Sequence, residues 1–465
     1  MPFQSSLGDP ADSRLAAIFS GRLMQRLRGL RPFAVWPAER TAPDPPAPAA
    51  ITALGQAAHA QYILYGRMEA ASSGTSLTVM LFEAKRGAAI WAHTYTGPLT
   101  DLLHVEGEIA QAVAAQARHA TPQPDLHVVA PAPSASPDAY LRSLRAKAYL
   151  ESPDQGSARR AMSEMLPATA EDSASVLTWS SLAESAVARL GRDGEASPSA
   201  DSAILAVASY AARNALRLDA QSADAWMAEG AVRSLEHPRD YRDALRAYDR
   251  AVELEPWRAE TRRRYASALL ESGAVQEGIA QLHTALQIEP GNPATLVEFA
   301  TAASHARRYR DACHALNAAV ASDARNADAY VQRAFVRLHL NDVRNAWADA
   351  ETGVRLGAWL TGETAAAIAD ARSHDTATAR QRATGLAVRL RPSLDRPTVW
   401  ESHYLAASYC AVDQDDRAVQ LLAHAQPRGA ALWWALGDPA FDRLRNVPAF
   451  VQLVNDTRPL PAAYP

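Results

Sequence analysis

The chain is 465 residues long, 48% hydrophobic and 21% charged, with a formal net charge of −4. That length exceeds what one ordinary core organises, so several domains or a repeat array are expected. The composition excludes a disordered chain, and without a basic block no direct nucleic acid binding is expected. Lys85 and Lys147 are the only lysines, so nearly all positive charge is arginine. The only cysteines, Cys313 and Cys410, lie far apart and outside any Cys-x-x-Cys pair, and are expected to be small buried hydrophobes. No basic stretch followed by an apolar run opens the chain, and no run of roughly 18 apolar residues occurs. A cytoplasmic protein without a membrane segment is therefore expected.

Residues 1–121 predict a small α/β domain. Leu15, Ile18, Phe19, Leu23, Leu27 and Leu30 recur at helical spacing, with Asp9 or Asp12 available as a cap. PFAVWP reads as a short strand, and a second short helix is expected around Ile51–His59. QYILYGRMEA, SLTVMLFEA and AAIWAHTYTG alternate as strands joined by the turns ASSGT and KRG. A closing helix is expected from about Leu102 to Arg118, and the helices are expected to lie on one side of the sheet. Trp91, His93 and Tyr95 share one strand face, where core packing beneath the helices is the expectation.

Residues 122–137, PQPDLHVVAPAPSASP, read as a Pro/Ala-rich linker. Beyond it the chain turns helical and repeats. ALRLDA, AVELEP, ALQIEP and AVASDA begin at Ala215, Ala251, Ala285 and Ala319, which is 36, 34 and 34 residues apart. A 34-residue period of paired helices is the tetratricopeptide signature. Three columns of small residues support it: Gly230/Ala266/Ala300/Ala334, Ala244/Gly278/Ala312/Ala346 and Ala251/Ala285/Ala319/Gly353. The first two columns are expected to bring the helices of one repeat together, and the third to admit the next repeat. Four repeats are expected over 223–358, flanked by degenerate repeat-like helices over 138–222 and by degenerate helices with a cap over 359–465. The fold class is thus mainly α, a small N-terminal α/β domain followed by an α-solenoid of helix pairs.

Several of these stretches carry a resemblance. Tyr62–Met68, Leu81-Phe82-Glu83-Ala84, Gly87, Trp91, Tyr95 and Glu108-Ile109-Ala110 resemble the TolB-like N-terminal domain family. Pro2-Phe3 and Gly8-Asp9-Pro10 match its opening pattern, a hydrophobic strand ending in Pro-Phe and then a turn into the first helix. The apolar residues that usually precede Pro-Phe are absent, so a stunted strand or a lost upstream piece is expected. At the other end, Gly437-Asp438-Pro439, Phe441–Arg445 and Pro448-Ala449-Phe450 resemble the C-terminal cap of the same proteins. The resemblance implies a domain found ahead of tetratricopeptide repeats in winged-helix transcriptional regulators and in some class III adenylate cyclases, here without the output domain.

Catalytic patterns are missing from the sequence: no Walker A loop, no GxGxxG, no HExxH and no GxSxG. Cys313 and His314 are sequence neighbours and point apart on a helix. Asp413, Asp415 and Asp416 lack the glycine and terminal glutamate of an EF-hand, so a polar turn or helix cap is expected. Trp433-Trp434 are expected to fill a core under the cap. No enzyme activity, cofactor or metal is expected. The repeats are instead expected to bind a protein partner, as a peptide segment or helix, on the face of their first helices. Repeat position assigns Glu260, Arg263, Ser267, Val297, Thr301, Val331 and Phe335 to that groove. The expected function is a regulatory or scaffold protein. The alternatives are the sensory half of a winged-helix regulator, or a regulatory region related to class III cyclases.

Overall fold

Alternating large apolar residues with few polar interruptions build a β-meander near the N-terminus, and helices follow it. The computed structural model describes residues 3–5, 10–28, 47–57, 59–71, 74–120, 134–152, 156–192, 198–236, 241–391, 398–425 and 436–459. They fall into two compact units, residues 1–232 and 233–465. The expected strand PFAVWP and the Trp433-Trp434 pair lie outside the described residues.

In the first unit, β1 (Gln4–Ser5), β2 (Tyr62–Ala71), β3 (Gly74–Glu83) and β4 (Ala88–Gly97) form one sheet in the order β1-β2-β3-β4. The last three strands are antiparallel, with Leu64 opposite Leu81 and Leu81 opposite Trp91. β1 is a two-residue parallel addition, Gln4 opposite Arg67. Gly66 makes room for it, because a Cβ there would meet the Phe3 ring at 2.4 Å. Helices α1 (Pro10–Arg28) and α3 (Leu102–Ala120) cover the face carrying Met68, Leu77 and Val79. Helix α2 (Pro48–Ala57) covers the opposite face, where Ile51 packs on Ile63, Tyr65 and Phe82. The expectation of helices on one side is thereby corrected. Ile51 and Leu54, three residues apart on α2, give it an apolar stripe of its own. Trp91 and Tyr95 pack at the margin of the α1/α3 core while His93 stays exposed between them.

Helix α4 (Pro137–Leu150) follows the expected linker but shares the core of the sheet domain, through Tyr140, Leu141 and Leu144. The Tyr140 hydroxyl donates to the buried Glu106 carboxylate, which Arg26 also approaches at 3.5 Å. Residues 134–136 at the linker's end are held by Asp172, whose Oδ2 accepts from Ser134 Oγ at 2.6 Å and from the Ala135 N–H at 2.7 Å. Helices α5 (Ser157–Glu171), α6 (Val176–Arg192), α7 (Pro198–Leu218) and α8 (Ala223–Glu236) continue the unit, around a core rich in alanine and methionine.

The second unit is built of α9 (Arg242–Leu254) and five helix pairs. These are α10 (Ala259–Glu271) with α11 (Val275–Ile288), α12 (Pro293–His305) with α13 (Tyr309–Ser322), and α14 (Ala327–His339) with α15 (Val343–Arg355). They continue as α16 (Trp359–Arg372) with α17 (Thr376–Leu390), and α18 (Val399–Ala411) with α19 (Asp415–Ala425). Helices α10, α12 and α14 start 34 residues apart, and so do α11, α13 and α15. This is the length and spacing of tetratricopeptide repeats. Asn292 and Asn326 cap α12 and α14, accepting from the N–H groups of Thr295 and Ala329.

Every pair turns in the same way. Gly273, Arg307, Asn341, His374 and Asp413 have positive φ, between 62° and 92°. The N–H of the next residue bonds back five residues, as in Ala274 to Leu269, Arg308 to Ala303 and Asp342 to Arg337. That is a Schellman closure with one left-handed residue, which glycine adopts freely and other residues at roughly 1 kcal/mol or more. The small columns are buried as expected. At Gly353, however, the neighbour is Val331 of its own pair, 2.3 Å from where a Cβ would stand, and not the following helix.

A 3-10 helix (Pro439–Leu444) and α20 (Pro448–Thr457) close the array. Phe441, Leu444, Phe450 and Leu453 bury themselves with Ala406, Cys410 and Leu422 of α18 and α19. Such a cap removes the apolar face that a final repeat would otherwise leave in water.

Candidate functional site

The first helices of successive pairs pack on one another, α12 on α14, α14 on α16 and α16 on α18. They present a continuous inner-helix face. Arg263 on α10 and Glu298 on α12 pair across it at 2.5 Å, both partly exposed. Glu260 lies near Arg258 and Arg264, at 3.6 and 3.8 Å. Ser267 is exposed and donates to the Arg263 carbonyl, while Thr301 donates to the Val297 carbonyl at 3.0 Å. Val297 is half-buried against the α12/α13 core. Phe335 stacks on Tyr404 with ring centroids 6.1 Å apart, and Tyr404 stacks on the exposed Trp400 at 6.3 Å.

Val331 does not belong with the others. It is fully buried beneath the helix that carries Gly353, so no partner reaches its side chain directly. Helical position alone put it on the inner face. The missing Cβ at Gly353 lets α15 settle over it.

A second cluster on this face was not singled out from the sequence. It gathers where the first helices end. His305 closes α12 and His339 closes α14, one repeat period of 34 residues apart. Arg307, in the turn after α12, makes a two-pronged ion pair with Asp442, with both N···O distances at 2.5 Å. Its Nη1 also donates to the Tyr309 hydroxyl at 3.0 Å, and the Tyr309 ring stacks on His339 at 4.8 Å. The carboxylate of Asp438, on the same closing segment, takes a hydrogen bond from His403 Nε2 at 3.2 Å. His403 is buried edge-on against Phe441, at 5.2 Å. Arg445 holds the segment's backbone, donating to the Gly437 carbonyl at 3.0 Å.

The electrostatics follow from this crowding. Burial pushes the His305 imidazole down to about 4, against a smaller upward pull from Asp438. His339 is lowered too, first by burial and then by Arg372 and Arg307, with Asp438 and Asp442 opposing. Burial would raise the Asp438 carboxyl, but the His403 hydrogen bond and the neighbouring imidazoles hold it well below the usual carboxylate range. Asp442 is lowered as well, the Arg307 pairing outweighing its partial burial. A repeat-column reading could have found the histidines: Glu271, His305, His339 and Ser373 occupy one column at 34-residue steps.

The remaining candidates resolve structurally. The acidic turn at Asp413 and Asp415 receives the Arg443 guanidinium, at 2.9 and 3.0 Å, so the chain supplies its own cation there. Cys410 is buried and its thiol is pushed up to about 12, chiefly by burial; Cys313 is half-buried. Among the described residues no His, Cys, Asp and Glu group has the geometry to hold a metal, and no helix is long and apolar enough to cross a membrane.

The fold and this face define a mainly helical protein whose α-helix pairs are like tetratricopeptide repeats, preceded by a small antiparallel sheet. Among solved structures it is similar to a tetratricopeptide repeat protein from Parabacteroides merdae, at 14% identity and a TM-score of 0.40, covering 56% of this chain and 94% of that one. It is also similar to TTC0263 of Thermus thermophilus, a thermophilic TPR protein, at 22% identity and a TM-score of 0.32, with 44% and 95% covered. A third is YrrB, a TPR protein with an unusual peptide-binding site, at 14% identity and a TM-score of 0.30, with 42% and 92% covered. No protein-family model and no curated protein matches the chain.

Proposed function

We propose that this is a non-enzymatic regulatory or scaffold protein that binds a segment of a protein partner on its inner-helix face. The observation that carries this reading is the aromatic row Phe335, Tyr404 and Trp400, which ends in an exposed indole. Aromatic rings with one apolar face and a wet edge are the anchors that helical or extended peptides use. The proposed division is a domain over 1–121, a linker over 122–137, degenerate helices over 138–222, four repeats over 223–358 and a closing region over 359–465. The test is to pan a displayed peptide library on the full chain and titrate the enriched peptides against Arg263→Glu, Phe335→Ala and Trp400→Ala variants. At least about tenfold weakening is expected at Phe335 and Trp400; peptides that bind all three variants like the parent remove the face as the site.

A second reading takes residues 1–121 as a TolB-like domain, and the chain as the sensory half of a winged-helix regulator or a relative of class III cyclase regulatory regions. The seat of Phe3 over Gly66 and the first helix beginning at Pro10 favour it. Sequencing the DNA upstream tests it: a winged-helix domain in frame or in the adjacent gene supports this reading, and the absence of both counts strongly against it.

A further inference from the structure

The left-handed turn position is filled by Gly273, Arg307, Asn341, His374 and Asp413. Asparagine and aspartate tolerate that backbone by local hydrogen bonding, and glycine has no Cβ to clash. Arginine has neither excuse, so a strained Arg307 points to work done by its side chain. Its guanidinium clasps Asp442, 135 residues further along the chain, with the fork geometry suited to recognising a carboxylate. Both partners keep nearly half of their side-chain surface in solvent.

The segment that brings Asp442 there has two sides. Pro439, Phe441 and Leu444 are buried in the cap, so that side is fixed. Asp442 is exposed on the other side, where its carboxylate is held by the two-pronged pair with Arg307 and, more loosely, by Arg445 Nε at 3.6 Å. Around Arg307 stand the Tyr309 hydroxyl and ring, with His339 stacked on that ring. Together they make a carboxylate receptor flanked by an aromatic wall, already filled from within the same chain.

We propose that Arg307 and Tyr309 form a receptor for a carboxylate on an acidic partner segment, and that Asp442 closes this receptor in cis until the partner displaces it. This rests on the reading of the inner-helix face as a partner surface and assigns the partner's chemistry: an acidic residue next to an aromatic one, as in the chain's own Phe441-Asp442. An exposed ion pair exchanges readily, because little burial holds it shut. Capture of the partner is therefore expected to weaken as salt is raised.

The test uses the full chain and a fluorescein-labelled peptide of residues 437–443, Gly-Asp-Pro-Ala-Phe-Asp-Arg. Binding is read by anisotropy at low and high salt. Asp442→Asn, which opens the clasp while changing one half-exposed atom, is expected to bind the peptide at least about tenfold more tightly than the parent chain. Arg307→Gln added to it is expected to abolish that gain. So is replacing the aspartate next to Phe in the peptide by asparagine. Equal binding by parent and Asp442→Asn, no binding by either, or a gain that survives Arg307→Gln overturns the proposal. Circular dichroism confirms that each variant is folded, and the charge-swapped Arg307→Asp/Asp442→Arg chain supplies a second closed state, expected to bind as weakly as the parent. Loss of the general surface reading would appear separately, as indifference of panned peptides to Phe335 and Trp400 while Asp442→Asn still opens Arg307.

Discussion

His305 shows how far a single residue departs from its free chemistry once packed. Its imidazole is pushed down to about 4 from an ordinary 6.5, chiefly by burial. In the unfolded chain the same ring takes up a proton near its ordinary value. Between those two values the unfolded state binds more protons, so stability falls as pH is lowered through that window. His339, lowered for the same reason, acts in the same direction. Thermal unfolding is therefore expected to show on the order of 1–3 kcal/mol of stability lost from about pH 7.5 to about pH 5. A His305→Gln chain is expected to show a shallower slope, and an unchanged slope would mean that His305 is not the group responsible. Asp438 works in a lower window, its stabilisation being lost as pH falls below the ordinary carboxylate value. None of this was legible locally. The column Glu271, His305, His339, Ser373 was visible in the repeat alignment, but the burial that lowers its two imidazoles was not.

At the scale of the element, the helix pairs were legible because they repeat. Small residues at fixed steps and a 34-residue spacing are properties of the pattern, and tolerate ambiguity at any one position. The faces were less so. Helical position put Val331 in the groove with Val297, yet one is buried and the other half-exposed. The difference lies on the opposing helix, where Gly353 replaces the alanine of the other repeats in its column. Gly353→Ala would place a methyl group against Val331, and is expected to cost about 1–3 kcal/mol by overpacking. A paired Val331→Ala change should recover part of that loss in denaturant unfolding, whereas simple additivity of the two would show that the sites do not touch. The α2 helix carried a similar lesson for the sheet. Its Ile51 and Leu54 stripe was present in the sequence, but which sheet face it would cover was not.

For the whole molecule, the order of elements along the chain was readable and the two-unit division was not. Helix α4 adds Tyr140 and Leu144 to the core beside the sheet, and the first compact unit runs to Val232. An apolar core is assembled from distant segments, so composition shifts mark linkers better than they mark cooperative units. In the second unit each pair leans on its neighbours, and the cap supplies the last neighbour. Phe441→Ala removes a fully buried ring of the cap and the ring partner of Phe450, at an expected cost of about 3–5 kcal/mol. In a nearest-neighbour array the loss should be local. Hydrogen exchange is expected to rise first in α18 and α19 while α10 and α11 keep their protection; uniform loss would mean the unit unfolds as one.

The recurring left-handed turn has one more consequence. Its backbone is closed by its own main-chain hydrogen bonds, so the turn itself does not depend on which side chain stands at that position. Glycine, arginine, asparagine, histidine and aspartate occupy it in succession. The second unit thus displays an ordered row of interchangeable slots, one per helix pair. Changing what stands in one slot rewrites that point of contact, at a local backbone cost of roughly 1 kcal/mol wherever the residue is not glycine.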